Sequence, residues 1–178
     1  MPGASAPQPP SLEESLEADP WHLFFPLGVL LAWAGVLHWL LYAAGVNTEY
    51  RAVFHSTAQI QGFMTCVATG FLFTFVPRRT ATARPAGWEL AGAAAGPVLA
   101  TAAAWWDHWA VAQLLWTSGE VVVAVFVLRR LSSEGARRVP AVFVWVPIAL
   151  LAGAASSALV AVAAVLGPRR LHGRAPAP

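Results

Sequence analysis

Residues 54–75 read FHSTAQIQGFMTCVATGFLFTF, a stretch that opens with polar side chains and closes with an apolar run. At 100° per residue, five small or polar residues fall within about 40° of one helical line, while the phenylalanines lie off it. These five residues are His55, Gln59, Gly62, Cys66 and Thr69. The pattern predicts a membrane-spanning helix that turns one polar stripe into a helical bundle and exposes most of its circumference to lipid.

The composition of the whole chain agrees with this prediction. Of its 178 residues, 57% are hydrophobic and only 11% are charged, against roughly 25% charged residues in soluble domains. Several apolar runs reach about 20 residues, the length of helix that crosses a bilayer core of about 30 Å. We therefore predict an all-α, polytopic transmembrane helical bundle with about five spans, whose main partner is the lipid bilayer.

Charge and cysteine content exclude several classes of protein. All 11 basic residues are arginines in short clusters beside the apolar runs, whereas binding to nucleic acid needs a contiguous basic patch. The single cysteine, Cys66, excludes an internal disulfide and a cysteine-based metal cluster. The sequence also lacks the glycine patterns of phosphate loops and dinucleotide-binding turns, so we assign no enzymatic activity.

The apolar runs divide the chain into three regions. Residues 1–20 are rich in proline and acidic residues, which predicts a disordered tail. The transmembrane helical domain covers residues 21–167, and residues 168–178 form a basic tail that contains proline. The predicted spans are residues 21–44, 52–76, 88–104, 109–128 and 139–166.

Proline and small residues give three of the spans a distinct character. Pro77, which precedes two arginines, is expected to break the second helix. The third span is built from alanine and glycine with Pro97 inside, and such small side chains suit close helix–helix approach within a bundle. The fifth segment is long for one crossing and contains Pro147, which predicts a tilted, kinked or partly re-entrant segment.

The arginines predict the orientation of the chain in the membrane. The loops after the second and fourth spans carry the larger clusters, Arg78, Arg79 and Arg84, and Arg129, Arg130, Arg137 and Arg138. Both loops and the amino terminus are therefore expected on the cytoplasmic side. The arginines of the carboxyl-terminal tail would then lie outside, against the rule, unless the last segment re-enters or a sixth helix is missing.

Three histidines are predicted to converge on one leaflet. His38 lies near the outer end of the first span, and His55 and His108 lie at the outer starts of the second and fourth. Neutral imidazole is the usual protein ligand of haem iron and of copper, so all three are candidate metal ligands, with Gln59 as a further cofactor-binding candidate. The alternatives are that His108 is only an interfacial residue and that the polar stripe serves helix packing alone.

Glu120 is the one carboxylate well inside a span, on the same predicted helical face as Gln113 and Trp116. An acid inside the membrane is costly and usually marks a functional site. With Gln113 and Cys66 it forms the set of candidate intramembrane polar residues, and it suggests a proton path or a partner for a cofactor. Alternatively, a protonated Glu120 bonded to a neighbouring serine or glutamine satisfies the structure alone.

Two segments of the chain resemble the NnrS family of membrane proteins. DPWHLFFPLG, residues 19–28, resembles the family's DP-x-x-x-FFPLG opener. HSTAQIQGF followed by TGFLFTFVPRRT resembles the family's His-x-His-Glu-Met, Gly-Phe and GFLLTAVP stretch. The order and separation of these pieces also match, best over residues 19–80, with a weaker likeness in FVWVPIALLAG of the fifth span.

The resemblance implies a haem- and copper-associated protein of the bacterial cytoplasmic membrane that is linked to nitric oxide and nitrosative stress. His55 matches the first histidine of the family motif. The positions of the second histidine, the glutamate and the methionine are here Thr57, Ala58 and Gln59. Family members have more spans, so this chain resembles an amino-terminal half, and a second copy or another subunit is expected to supply further helices.

The sequence leaves three functions open. The first is a membrane protein that binds haem or copper through histidines near one leaflet and senses, buffers or passes electrons to a nitrogen oxide. The second is a non-catalytic bundle that has lost the metal site and acts as a subunit or assembly partner. The third is a component of a small-solute or proton transporter that uses Glu120 and the glutamines.

Overall fold

The computed structural model describes residues 11–135, 137 and 139–166. Its helices in chain order are α1 Leu12–Ala18, α2 Trp21–Ala43, α3 Ala52–Thr80, α4 Gly87–Trp105, α5 Trp109–Leu131 and α6 Trp145–Leu166. A short 3₁₀ turn, Ala141–Val144, precedes α6. The described part of the chain contains no strand, and the predicted all-α bundle is confirmed.

Four helical segments in the described ranges are long and apolar enough to cross a membrane, as expected of a multi-pass membrane protein. They are Trp21–Ala43, Ala52–Thr80, Trp109–Leu131 and Ala141–Leu166. The fifth long helix, α4, has 19 residues but is less apolar because of its glycines, Pro97 and Glu89. It packs against α5 and α3 inside the bundle, so it depends on its neighbours more than on lipid.

The bundle is organised around α5, which packs against α4, α6 and α3, while α2 lies along α3. We call the end of the bundle that carries Arg78, Arg84 and Arg130 the arginine-rich end, and the end that carries His38 and His55 the histidine end. At the arginine-rich end a core cluster joins α2, α3, α4 and α5 and includes Phe24, Phe73, Val76, Leu90, Val123, Phe126 and Val127. A smaller cluster at the histidine end contains Phe54, Ala58, Ala104 and Ala112. The two ends of the bundle are therefore packed separately, one by large rings and the other mainly by alanines.

Glycines set the closest approach between helices. A Cβ built on Gly96 of α4 would lie 2.7 Å from the Cα of Gly119 on α5. Between α2 and α3, a Cβ on Gly35 would lie 2.9 Å from the Cβ of Ala58. Real side chains do not fit at such distances. At Gly96 and Gly119, α4 and α5 therefore touch backbone to backbone, as the small-residue composition of α4 predicts.

Residues 11–20 differ from the predicted disordered tail, because residues 12–18 form α1. The Ser11 hydroxyl accepts the Glu14 backbone N–H at 3.2 Å, and the Glu14 carboxylate accepts the Ser11 N–H at 2.8 Å. Leu16 packs against the core cluster at the arginine-rich end. This capping box and the apolar contact offset the entropy cost of ordering a short helix. Residues 1–10 lie outside the described residues.

Pro77 and Pro147 do not disturb their helices in the way that the sequence predicts. The prediction that Pro77 breaks α3 is wrong: the helix continues to Thr80 and ends where Ala81 takes a left-handed conformation, φ 58°, and donates its N–H to the Pro77 carbonyl. Pro147 is the third residue of α6, where a helix has no intrahelical acceptor for the missing N–H. Trp145–Leu166 is one continuous helix.

A buried ion pair between α4 and α5 stabilises the arginine-rich end. Arg130, which the sequence analysis placed among the loop arginines, is buried, and its Nη1 and Nη2 donate to the two Glu89 carboxylate oxygens at 3.0 and 2.8 Å. Its three other N–H groups donate to the carbonyls of Ala83, Arg84 and Phe126. All five donors of the guanidinium are therefore used, and the pair ties α5 to the start of α4 and the preceding loop.

A second, exposed ion pair joins the start of α2 to the last turn of α3. The Arg78 Nη2 lies 2.6 Å from the Asp19 Oδ1, and this hydrogen bond lowers the pKa of Asp19 below its usual value of 3.8. Because the folded state has the lower pKa, the stability from this pair is complete at neutral pH and is lost as the pH falls through the folded-state pKa.

We expect Asp19→Asn to lower the free energy of unfolding by less than about 1 kcal/mol at neutral pH, since exposed pairs contribute little. The difference from the wild type should shrink as the pH falls below about 4, where the wild-type carboxyl also becomes protonated. Denaturant titrations of both proteins in detergent at several pH values measure it. A difference that grows on acidification would contradict this assignment.

Candidate functional site

His38 is buried, 1% exposed, between the rings of Phe54 and Trp105. Its Nε2 accepts the backbone N–H of Arg51 at 2.8 Å, so the neutral ring carries its proton on Nδ1. Nδ1 lies 3.4 Å from the side-chain amide of Asn47, which fits when the amide oxygen is turned towards the ring. Both ring nitrogens hold the connection between α2 and α3, and His38 has no lone pair left for a metal.

His55 has only one of its two ring nitrogens in a hydrogen bond. In the first turns of α3, its Nδ1 lies 3.2 Å from the carbonyl oxygen of Gly35, and its ring stacks on Trp39 with 3.6 Å between centroids. A carbonyl only accepts hydrogen bonds, so Nδ1 carries the proton and Nε2 keeps its lone pair. Within the described residues no hydrogen bond reaches Nε2. Metal-binding histidines have this arrangement, with one nitrogen fixed by a backbone carbonyl and the other available.

Among the described residues, no hydrogen bond or ring contact joins His108 to His38 or His55. His108 is exposed and directly precedes α5, which agrees with the alternative that it is an interfacial residue. Among the residues that the structure describes, no group of three or more histidine, cysteine, aspartate or glutamate side chains is placed to hold a metal ion. His38, His55 and His108 therefore do not form a shared three-ligand site.

The polar stripe of α3 packs against α2. The Gln59 Nε2 donates to the carbonyl of Ala32 at 2.9 Å, and a Cβ built on Gly28 would lie 3.1 Å from the Cβ of Cys66. Gly62 is buried against Leu31 in the same interface. The stripe thus serves the packing that the sequence analysis gave as its alternative, and Gln59 is engaged in it.

Part of α3 is not α-helical. Ala58–Met64 is a π-helix, directly after the turn that carries His55. Such wide turns are rare and occur often at functional sites. A sequence pattern based on 100° per residue gives no sign of this segment, because the pattern assumes a uniform α-helix.

Gln113 belongs to a polar cluster that joins three helices. Gln113 of α5 and Gln61 of α3 exchange two amide hydrogen bonds, at 2.8 and 3.1 Å. The Ser157 hydroxyl of α6 lies 2.5 Å from the Gln113 Oε1. One turn further along, the Trp116 Nε1 donates to the Thr65 hydroxyl at 3.0 Å. The sequence pattern marks Gln113 as an intramembrane polar residue but does not indicate its partners, because these depend on how the helices are rotated.

Glu120 is buried, 6% exposed, inside α5. None of the hydrogen bonds among the described residues reaches its carboxyl group, so the alternative of a bond to a neighbouring serine or glutamine is not found. Gln113, two turns earlier in α5, bonds to Gln61 and Ser157 instead. Glu120 therefore remains an intramembrane acid outside the polar cluster.

Comparison with known proteins decides the family. A family model described as NnrS protein matches residues 15–175. The chain belongs to the NnrS family. The match extends well beyond residues 19–80, which carry the resemblance in the sequence, and covers α4, α5 and α6. No curated protein and no solved structure matches the chain.

The structure explains one departure of this NnrS-family chain from the family motif. Thr57 and Ala58, at the positions of the motif's second histidine and glutamate, are both buried. Ala58 packs so closely on Gly35 that its own Cβ lies 2.9 Å from the position of a Cβ there. A glutamate at this position would force α2 and α3 apart, so the small residue and the close helix contact go together.

Proposed function

We propose that this NnrS-family protein lies in the bacterial cytoplasmic membrane with its amino terminus inside, binds haem through His55, and acts in the response to nitric oxide. The observation that supports this proposal is the hydrogen bond from His55 Nδ1 to the Gly35 carbonyl, which leaves Nε2 as a ligand. Membership of the family supports the choice of cofactor and the link to nitric oxide.

The side chains around His55 fit a haem with one protein ligand better than a copper site. A single histidine is a sufficient axial ligand for haem iron, whereas copper sites use several histidine or sulfur ligands. His38 does not serve as a second ligand because both its ring nitrogens are engaged. Haem supplies an iron atom that binds small diatomic molecules, and the roles of the protein are to hold the His55 tautomer through Gly35 and the ring plane through Trp39.

An absorption spectrum of the detergent-purified protein tests the proposal. We expect wild type from haem-replete cells to show a Soret band that shifts on reduction and on addition of nitric oxide, and His55→Ala to lose it. His108→Ala is the matched control and should keep the band, because His108 is exposed and lies outside the site. Size-exclusion profiles of the three proteins establish that each is folded. A band of equal strength in His55→Ala would refute the assignment.

A second candidate is a bundle without a cofactor that acts as a subunit or assembly partner of other membrane proteins. It is favoured by the use of His38 to hold the connection between α2 and α3 and by the tight packing of Thr57 and Ala58. It predicts that the wild-type protein is colourless even from haem-replete cells. The same spectrum therefore separates the two functions.

A further inference from the structure

Glu120 lies midway between Trp109 and Leu131, the two ends of α5. At 1.5 Å per residue this places its Cα about 16 Å from either end of the helix, near the centre of a bilayer core of about 30 Å. The residue is 6% exposed, and no hydrogen bond or ion pair among the described residues reaches its carboxyl group. Glu120 is therefore a buried acid at the depth where a charge is least stable.

Glu89 and Glu120 are two buried carboxyls with opposite surroundings. Glu89 is 4% exposed and accepts N–H groups from Nη1 and Nη2 of Arg130, and a cation at this distance stabilises the charged form of an acid. Glu120 has no such partner in the part of the chain that the structure describes. A buried carboxyl without a cation or a donor takes up a proton, because the neutral acid avoids the cost of burying a charge.

The helices that pack against α5 offer no cation at the level of Glu120. α6, Trp145–Leu166, contains no titratable side chain, and the only one of α4 is Glu89, which is paired. On α3, Cys66 faces α2, where a Cβ on Gly28 would lie 3.1 Å from its Cβ. The other titratable residues of α3 lie near its two ends and are His55, Arg78 and Arg79. The protonation of Glu120 is thus set by its burial and not by a neighbouring charge.

The Glu120 carboxyl is not sealed within the protein. Every side-chain oxygen or nitrogen that is fully buried within the described residues has a hydrogen-bond partner. Because the Glu120 oxygens have no partner, they must retain a small accessible surface. A water molecule that carries a proton is therefore able to reach them.

From Glu120 towards the histidine end, the packing between α3, α5 and α6 is polar. Thr117, one turn before Glu120 in α5, donates its hydroxyl to the Ala154 carbonyl of α6 at 3.5 Å. The hydrogen bonds described above follow at one and two turns from Glu120, and their residues are Trp116, Thr65, Gln113, Gln61 and Ser157. Hydroxyl and amide groups both donate and accept, so these side chains stabilise water along this side.

From Glu120 towards the arginine-rich end, the packing is apolar. Val123 and Val127, one and two turns after Glu120, are 1% and 0% exposed. The rings of Phe73 and Phe126 stack with 3.9 Å between centroids in the same core cluster. Packed hydrocarbon offers no hydrogen bond to a water molecule or a proton, and this cluster separates Glu120 from the arginine-rich end.

We propose that Glu120 is a proton-binding site in the middle of the membrane, protonated at neutral pH, which exchanges its proton with the histidine end along the polar side chains of α3, α5 and α6. The stacked phenylalanines block the other direction. Glu120 then takes up or releases a proton at one membrane surface without opening a path across the bilayer. The site requires no cofactor and does not depend on the proposed function.

Infrared spectroscopy of the protein in lipid nanodiscs at neutral pH tests the protonation of Glu120. We expect wild type to show the carbonyl stretching band of a protonated carboxylic acid. Glu120→Gln should lose this band and Glu120→Asp should keep it, since aspartate retains the acid. Size-exclusion profiles establish that each protein is folded. A wild-type spectrum without the band, or a band of equal strength in Glu120→Gln, overturns the proposal.

The rate at which this band shifts in D₂O tests the direction of exchange. Thr65→Val removes the hydroxyl that accepts the Trp116 N–H on the polar side. Thr80→Val is the matched control, the same substitution of a buried α3 threonine at the arginine-rich end. We expect Thr65→Val to slow the exchange by at least about fivefold, the rate equivalent of one hydrogen bond, and Thr80→Val to leave it unchanged. Equal rates in the two variants overturn the proposed direction.

Discussion

Replacing Glu89 with glutamine is expected to lower the free energy of unfolding by about 3–5 kcal/mol, because it leaves the buried guanidinium of Arg130 without a counterion. The two residues are 4% and 8% exposed, so water does not replace the lost carboxylate. The capping bond from the Ala86 backbone N–H to Glu89 at 2.9 Å also weakens when the acceptor loses its charge. Unfolding in detergent, followed by tryptophan fluorescence, measures the change.

Two further variants show whether the ion pair is responsible. Arg129→Gln removes a neighbouring exposed arginine and should change the stability by no more than about 0.5 kcal/mol. Arg130→Lys should fall between Arg129→Gln and Glu89→Gln, because an ammonium keeps the charge but has only three donors on one atom. It does not reach Glu89 and the carbonyls of Ala83 and Arg84 together. Equal stabilities for Arg129→Gln and Glu89→Gln would show that the pair contributes nothing.

Gly96→Ala is expected to lower the free energy of unfolding by about 1–3 kcal/mol, although alanine is the better helix former. The new Cβ would lie 2.7 Å from the Gly119 Cα, 3.1 Å from its nitrogen and 3.3 Å from the Leu115 carbonyl oxygen. All three are backbone atoms, so the overlap is relieved only when α4 and α5 move apart. Thermal unfolding of the purified variant in detergent gives the change.

Gly92→Ala is the matched control for Gly96→Ala. It is the same substitution one turn earlier in α4, where the new Cβ meets a methyl group of Val122 at 3.3 Å. A side chain adjusts by a few tenths of an ångström, so Gly92→Ala should be neutral or stabilising by up to about 1 kcal/mol. If both variants have the same stability, the close approach at Gly96 and Gly119 does not determine the packing of α4 and α5.

The fold was largely predictable from hydropathy, since apolar runs of sufficient length become helices in lipid. The exceptions depend on interactions that local patterns do not record. Arg129 and Arg130 are identical neighbours in the sequence, and only the rotation of α5 makes one exposed and the other buried. α1 was missed because a proline-rich, acidic segment normally stays unfolded, whereas a capping box and one leucine contact are enough to order seven residues.

The candidate site was predictable in its residue types but not in its geometry. The positions of His38 and His55 on separate spans correctly placed them at the same end of the bundle. Their hydrogen bonds distinguish them: His38 accepts the N–H of a residue 13 positions later, while His55 bonds to a carbonyl 20 positions earlier. Such tertiary partners decide which nitrogen is available, and helical periodicity carries no information about them.

The π-helix of α3 also constrains how many residues this helix can contain. Its wide turn is equivalent to one inserted residue, and deleting an exposed residue such as Ile60 would restore an ordinary α-helix. Because the wide turn absorbs the extra residue, the side chains after the deletion would keep their direction about the helix axis relative to His55. Cys66 and Gly70 would still face α2, so a single-codon deletion in this turn should be tolerated better than one elsewhere in α3, where no wide turn absorbs the change.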